Sequence, residues 1–193
     1  DHILVGRFVK NRGAIGLRLD ADDDFMARFG VLAAVADGVG GQQGGAVASR
    51  LALSAMDSQF YSVEKADDVL AETKIALEAA ADRANQTILS VASHRPELGG
   101  MGCTVAGICL TTAGCLVFHA GDSRVFRYRN GALKQVTADD SVAALAARSG
   151  HLMPEEAACS PIRHTITNYL GSPSFRLNVE RPSELRDRDI VLA

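Results

Sequence analysis

Apolar and polar positions along the chain change period several times, and each change marks an element. Gly30-Val31-Leu32-Ala33-Ala34-Val35-Ala36 is a short apolar run that meets glycines at Gly38, Gly40 and Gly41. That pattern predicts a buried strand running into a tight loop. Beyond Gly44 and Gly45, the positions Ala48, Leu51, Ala52, Ala55 and Met56 recur at three- and four-residue spacing, which predicts a helix with one buried face. A second helix is predicted from about Ala66 to Ala92, with Val69, Ile75, Leu77, Ala80, Ala84, Ile88 and Leu89 among its apolar positions. Ser93 to Gly100, containing Pro96, Gly99 and Gly100, breaks it as a loop.

The second half of the chain has a β texture. Thr104 to Leu110 and Cys115 to Ala120 are apolar runs separated by Thr111-Thr112-Ala113-Gly114, which predicts a hairpin. Val125 to Tyr128 and Ala132 to Val136 flank Arg129-Asn130-Gly131. Asn-Gly between such runs is a strong hairpin signal because both residues tolerate positive φ. Asp139 to Ser149 reads as a helix that Asp139, Asp140 or Ser141 could cap and Gly150 could end. Phe175, Leu177 and Val179 alternate as a strand, and Ile190 to Ala193 begins another. A strand, two long helices, antiparallel hairpins, a helix and further strands, in that order, predict an α+β layered fold rather than a parallel doubly wound one.

Composition narrows the function classes. The chain has 193 residues, 47% of them hydrophobic, enough for a packed core. Twenty basic against 23 acidic residues give a net charge of −3, so there is no electrostatic reason to expect nucleic acid. No apolar run approaches the roughly 18 residues of a membrane span, and no basic segment followed by an apolar one opens the chain. The four cysteines, Cys103, Cys109, Cys115 and Cys159, make no C-x-x-C pair. They read as buried free thiols in a reducing compartment, so a cytoplasmic location is expected.

Common motifs are missing. Gly38-Val39-Gly40-Gly41-Gln42-Gln43 departs from the dinucleotide fingerprint at Gln43, and there is no P-loop, H-E-x-x-H or G-x-S-x-G. The histidines have no metal-ligand spacing, and His119, within a strand, fits a structural residue better than a ligand. What remains is a pattern of aspartates. Asp37 and Asp122 each stand where an apolar strand gives way to glycine or serine, anchored by a rigid element yet facing a cleft. A carboxylate there is costly unless paired or metal-bound, and hard oxygen donors suit Mg²⁺ or Mn²⁺. Asp20-Ala21-Asp22-Asp23-Asp24 reads on spacing alone as a solvated acidic loop or as further donors.

The ordered motifs resemble one family. Ala36-Asp37-Gly38-Val39-Gly40-Gly41 followed by Gly45-Ala46-Val47-Ala48-Ser49 is similar to the A-D-G-x-G-G…A-S segment of the PPM (type 2C) metal-dependent serine/threonine protein phosphatases, of bacterial type. Gly102-Cys103-Thr104-Val105 resembles G-[ST]-T-[AV], and Gly121-Asp122-Ser123-Arg124 resembles G-D-S-R. Gln135 to Ser141 resembles L-T-x-D-H-S, and Ile166 to Gly171 resembles I-T-R-x-L-G. Asp187 to Ala193 resembles the strand before a later S-D-G or C-D-G. The resemblance implies a four-layer α-β-β-α sandwich of two antiparallel sheets flanked by helices. Residues 1–193 would form a single phosphatase-like domain without its C-terminal part, because two further family aspartates would follow Ala193.

The same resemblance implies the chemistry. Two divalent ions, Mg²⁺ or Mn²⁺, would be held by Asp37, the Gly38 carbonyl and Asp23, with Asp122 holding a third ion as in some members or bracing its loop. Arg18 would clamp the substrate phosphate with its planar fork. Ala21-Asp22 replaces the family's N-E or N-Q, so Asp22 could serve instead of Asp23 if the register shifts by one. A hydroxide held between the ions would attack phosphorus, with no side-chain nucleophile. Val39 stands where eukaryotic members often carry a histidine as general acid, which leaves the proton to water or to another group. The region from about Ala143 to Thr167 maps to the family's flap. The implied partners are phosphorylated proteins, a bacterial Ser/Thr kinase or its substrates. The competing reading is an inactive pseudophosphatase that binds phosphoproteins or a kinase.

Overall fold

A computed structural model describes residues 1–11, 24–39, 41–65, 69–180, 186 and 188–193. In chain order its elements are β1 (His2–Val5), β2 (Phe8–Lys10), α1 (Asp24–Phe29), β3 (Val31–Ala36), β4 (Gly38–Val39), α2 (Gln42–Phe60) and α3 (Val69–His94). There follow β5 (Gly102–Cys103), β6 (Val105–Thr111), β7 (Gly114–Ala120), β8 (Phe126–Arg129), β9 (Ala132–Gln135), α4 (Val142–Arg148), α5 (Pro154–Cys159), β10 (Asn178–Glu180) and β11 (Ile190–Leu192). The predicted apolar run from Val31 is β3, a central strand of a six-stranded antiparallel sheet ordered β10-β7-β6-β3-β1-β2. A second sheet has the order β11-β8-β9, and β4 pairs with β5.

The period-two alternation of the strands divides the interior into two layers. Leu32, Ala34 and Ala36 of β3 join Val105, Cys109, Leu116, Phe118 and Ala120 on one face. Against them pack Leu53, Met56 and Phe60 of α2 and Leu77, Ala84 and Ile88 of α3. Alternate positions of the same strands, Val35, Ala106, Ile108 and Val117, face the other way and meet Val125, Val136 and Val191 around the second sheet. Sheet stacked on sheet, with the two long helices on the larger one, is the expected α+β sandwich. The outer face of the smaller sheet carries Tyr128, Leu133, Ile190 and Leu192, each at least 40% exposed.

Local predictions were met with instructive shifts. Asn130 and Gly131 turn the β8–β9 hairpin, both at positive φ. The helix after residue 139 begins at Val142, and of its three candidate caps Ser141 is the one used, accepting from the Ala144 N–H at 3.3 Å. Asp139 and Asp140 are thereby free for other contacts. In the alternating run after Phe175 only Asn178–Glu180 pairs as a strand; Phe175, Leu177 and Val179 all pack against the helical core. The second long helix is described from Val69, since residues 66–68 lie outside the described set.

Burial accounts for the cysteines. Cys103, Cys109 and Cys115 are buried, and the loss of water pushes each thiol up to about 12, whereas Cys159 is exposed. Iodoacetamide at pH 8 therefore labels one cysteine in the folded protein and all four in urea, counted by intact mass. Rapid labelling of more than one in buffer would show that the core is open.

Candidate functional site

The site grows from the end of β3. Ala36 is buried, and Asp37, one residue on, is exposed. The chain then crosses the first turn of α2 in direct backbone contact. A Cβ built on Gly38 would lie 2.3 Å from the Gly45 carbonyl, and one on Gly45 would lie 2.8 Å from the Gly38 carbonyl carbon. Only two glycines permit that approach. The crossing fixes where Asp37 and the Gly38 carbonyl sit.

Thr104 joins this loop to the one carrying Asp122. Its backbone N–H donates to the Asp37 carbonyl at 2.8 Å, and its hydroxyl pairs with the Ser123 hydroxyl at 2.6 Å. Gly121 packs on the same side chain at φ +106°, where an added Cβ would lie 2.6 Å from the Thr104 methyl carbon. Asp37 and Asp122 thus flank one buried threonine. Asp140 holds the Asp122 loop from its far side. Its Oδ2 accepts from the Gly121 N–H at 3.2 Å, from the Asn168 amide at 2.8 Å and from the Asn178 amide at 2.9 Å. Its backbone N–H donates to the Gly121 carbonyl, and its carbonyl accepts from the Thr167 N–H. One residue earlier, Asp139 takes Arg124 bidentately, at 2.9 and 2.6 Å, and also accepts from Gln135.

His119 lies under this network with Nδ1 3.8 Å from Asp140 Oδ2, too far for a hydrogen bond, and among the described residues that nitrogen has no hydrogen-bond partner. Burial holds its pKa below the usual histidine range, although Asp140 pulls the other way. His119 is therefore a neutral core residue paired across the sheet with Asn178, consistent with a structural role.

Two concavities open here. A groove of about 780 Å³ is bordered by Asp122, Arg124, Asp139, Arg148, Arg163 and His164, with alanines 143, 144, 147, 157 and 158 among its lining. A recess of about 280 Å³ is lined by Val39, Gly100, His164, Ile166 and Tyr169. The structure thus brings Asp37, Gly38 and Asp122 into one region. Arg18, Asp22 and Asp23 lie outside the described residues. Among the described residues no three His, Cys, Asp or Glu side chains form a metal-binding group. The donors that are described, a carboxylate and a backbone carbonyl at a strand end, have the hard-oxygen chemistry of an Mg²⁺ or Mn²⁺ site. The sequence offered Asp140 only as a helix cap, Thr104 and Tyr169 only as members of motifs, and His164 only as a histidine without metal-ligand spacing. Their signals are long-range hydrogen bonds and shared cavities, which spacing does not carry.

Two measurements check this geometry. Thr104→Val keeps the shape, removes the hydroxyl and leaves Ser123 without its buried partner; urea unfolding should show a loss of about 1 kcal/mol, and an unchanged midpoint would remove Thr104 as a tie. His2 and His119 are both held neutral by burial. Because the unfolded chain binds protons there first, stability should fall as pH drops through about 6.5. Equal urea midpoints at pH 7.5 and 5.5 would contradict that.

Comparison with known proteins places this geometry. Residues 20–171 match the family model described as "Protein phosphatase 2C". The serine/threonine protein phosphatase PstP of Mycobacterium tuberculosis is 36% identical over 167 residues, covering 86% of this chain and 31% of that protein; the chain thus spans about a third of its length. The crystal structure of the M. tuberculosis phosphatase PstP/Ppp superposes with a TM-score of 0.73 at 29% identity, covering 98% of this chain and 74% of that one. The PstP catalytic domain in complex with two manganese ions superposes with a TM-score of 0.65 at 29% identity, over 98% and 74% of the respective chains. With a family match extending over most of its length and this fold around Asp37, the chain belongs to the protein phosphatase 2C (PPM) family.

Proposed function

We propose that this chain carries the catalytic core of a metal-dependent phosphatase that hydrolyses phosphoserine and phosphothreonine monoesters on proteins. The observation that carries the reading is Thr104, which holds Asp37 and the Asp122 loop together beside an open groove. Family membership and the manganese complex of a similar catalytic domain support it. Asp37, the Gly38 carbonyl and Asp23 would hold two ions, Mg²⁺ or Mn²⁺, and Asp122 a third. Bound there, the ions acidify water and neutralise charge on the phosphoryl oxygens.

The chain's own residues do the rest. Arg18 would grip two phosphate oxygens with its fork, fixing the phosphorus for in-line attack. Thr104 and Asp140 keep the two acidic loops at a fixed separation, so the donors need no rearrangement when substrate arrives. The groove admits the phosphorylated side chain and its flanking peptide along a floor of small residues. The partners are phosphorylated proteins, a bacterial Ser/Thr kinase or its substrates, met in the cytoplasm. Among the described residues no helix is long and apolar enough to cross a membrane.

The test is Mn²⁺-dependent hydrolysis of p-nitrophenyl phosphate and of a phosphothreonine peptide by the full-length protein. Losing several kcal/mol of charge stabilisation in Asp37→Ala should lower kcat by about 100-fold or more. Equal activity in the variant overturns the assignment. Tight binding of Mn²⁺ and phosphopeptide by an inert wild type would favour a pseudophosphatase.

A further inference from the structure

The groove and the recess meet at one side chain. His164 closes the 3₁₀ turn Pro161–His164 and lines both the groove beside Asp122 and the recess beside Val39. It is exposed, so a ligand in either space can reach it. The backbone that follows it is held at two points. The Val142 N–H donates to the Thr165 carbonyl at 2.9 Å, and Leu170 exchanges backbone hydrogen bonds with Cys103 at 2.9 and 3.0 Å. Between those two anchors, Tyr169 lies against Gly102 so closely that a Cβ there would be 2.7 Å from its ring. The wall facing Val39 is therefore fixed, and His164 stands at its open edge.

The chemistry of the surrounding groups singles it out. Asp122 and Asp139 contribute carboxylates to the groove, and the guanidinium groups of Arg124, Arg148 and Arg163, which are not deprotonated in proteins, have no proton to release. Val39, Gly100 and Ile166 have nothing to give. An imidazole is the side chain that donates and recovers a proton around neutrality, and His164 is the one imidazole among the described residues lining these spaces.

We propose that His164 is the general acid of the hydrolysis, protonating the leaving serine or threonine oxygen; this rests on the phosphatase reading above. A water oxygen forms the new bond to phosphorus while the bond from phosphorus to the side-chain oxygen breaks. That electron pair stays on the departing oxygen, which takes the ring proton of His164. The proton given up by the attacking water returns to the imidazole through solvent. The net change consumes one water and yields an alcohol and inorganic phosphate.

Leaving-group dependence tests the assignment. An alkoxide needs a proton in order to leave, whereas p-nitrophenolate does not. In the full-length protein with Mn²⁺, His164→Gln and His164→Asn should lower kcat on a phosphothreonine peptide about 100-fold. That loss should exceed the loss on p-nitrophenyl phosphate by about 30-fold, and the alkaline limb of the peptide's pH–kcat profile should disappear. Inorganic phosphate added to the Mg²⁺-loaded wild type should shift the His164 ring resonances in NMR. Equal losses on the two substrates, no loss, or a ring resonance that phosphate leaves unmoved would each overturn the role of His164. A wild type that hydrolyses neither substrate would instead sink the phosphatase reading itself.

Discussion

A buried threonine faces two loops at once in this structure. The amide of Thr104 meets the last carbonyl before the β4 turn, and its hydroxyl meets Ser123. Its methyl carbon fills the space that Gly121 leaves empty. Carboxylates such as Asp37 and Asp122 repel each other, so holding them near one another takes a restraint. Thr104, in the single-residue step between β5 and the central strand β6, has a donor on one side and a hydroxyl on the other and supplies the restraint. The six-stranded sheet therefore positions as well as encloses: β3 and β6 deliver Asp37 and Thr104 from adjacent strands in fixed register.

A second restraint comes from the loop that returns from β9. The Oδ2 of Asp140 gathers donors from three segments far apart in sequence, Gly121, Asn168 and Asn178. Three donors on one oxygen make sense for a charged acceptor in a half-buried place, where charge-assisted bonds are stronger than neutral ones. The segment bearing His164 is thus coupled to the Asp122 loop through one carboxylate, while its other end is sewn to β5 at Leu170. A proton donor in the cleft needs that kind of fixed seat.

Much of the architecture was legible in the residue pattern, for physical reasons. The alternation of β6 and β7, the Asn130-Gly131 turn and the three-to-four spacing of α2 are local signals, and local signals survive without knowledge of the fold. The site was legible only in part. Asp37 and Asp122 announced themselves by standing at strand ends beside glycine, and the ordered motifs gave the family. Thr104 and Asp140 looked like ordinary strand and cap residues, because their meaning lies in hydrogen bonds that cross 19 to 67 positions of sequence. The choice of Ser141 over its two aspartate neighbours as helix cap was undecidable for the same reason: Asp139 and Asp140 were claimed by Arg124 and Gly121, partners that no short window contains.

The crossing of Gly38 over Gly45 constrains how such a sequence can change over time. Two backbones in contact leave no volume for even a methyl group on either side, so neither position can be exchanged first and repaired by the other later. A single-step drift at one of them shifts the first turn of α2 and, with it, the whole apolar seam between that helix and the sheet. The pair therefore behaves as one inherited unit, kept by geometry whatever chemistry the neighbouring carboxylate performs, and it should persist in descendants that have given up catalysis but kept the fold.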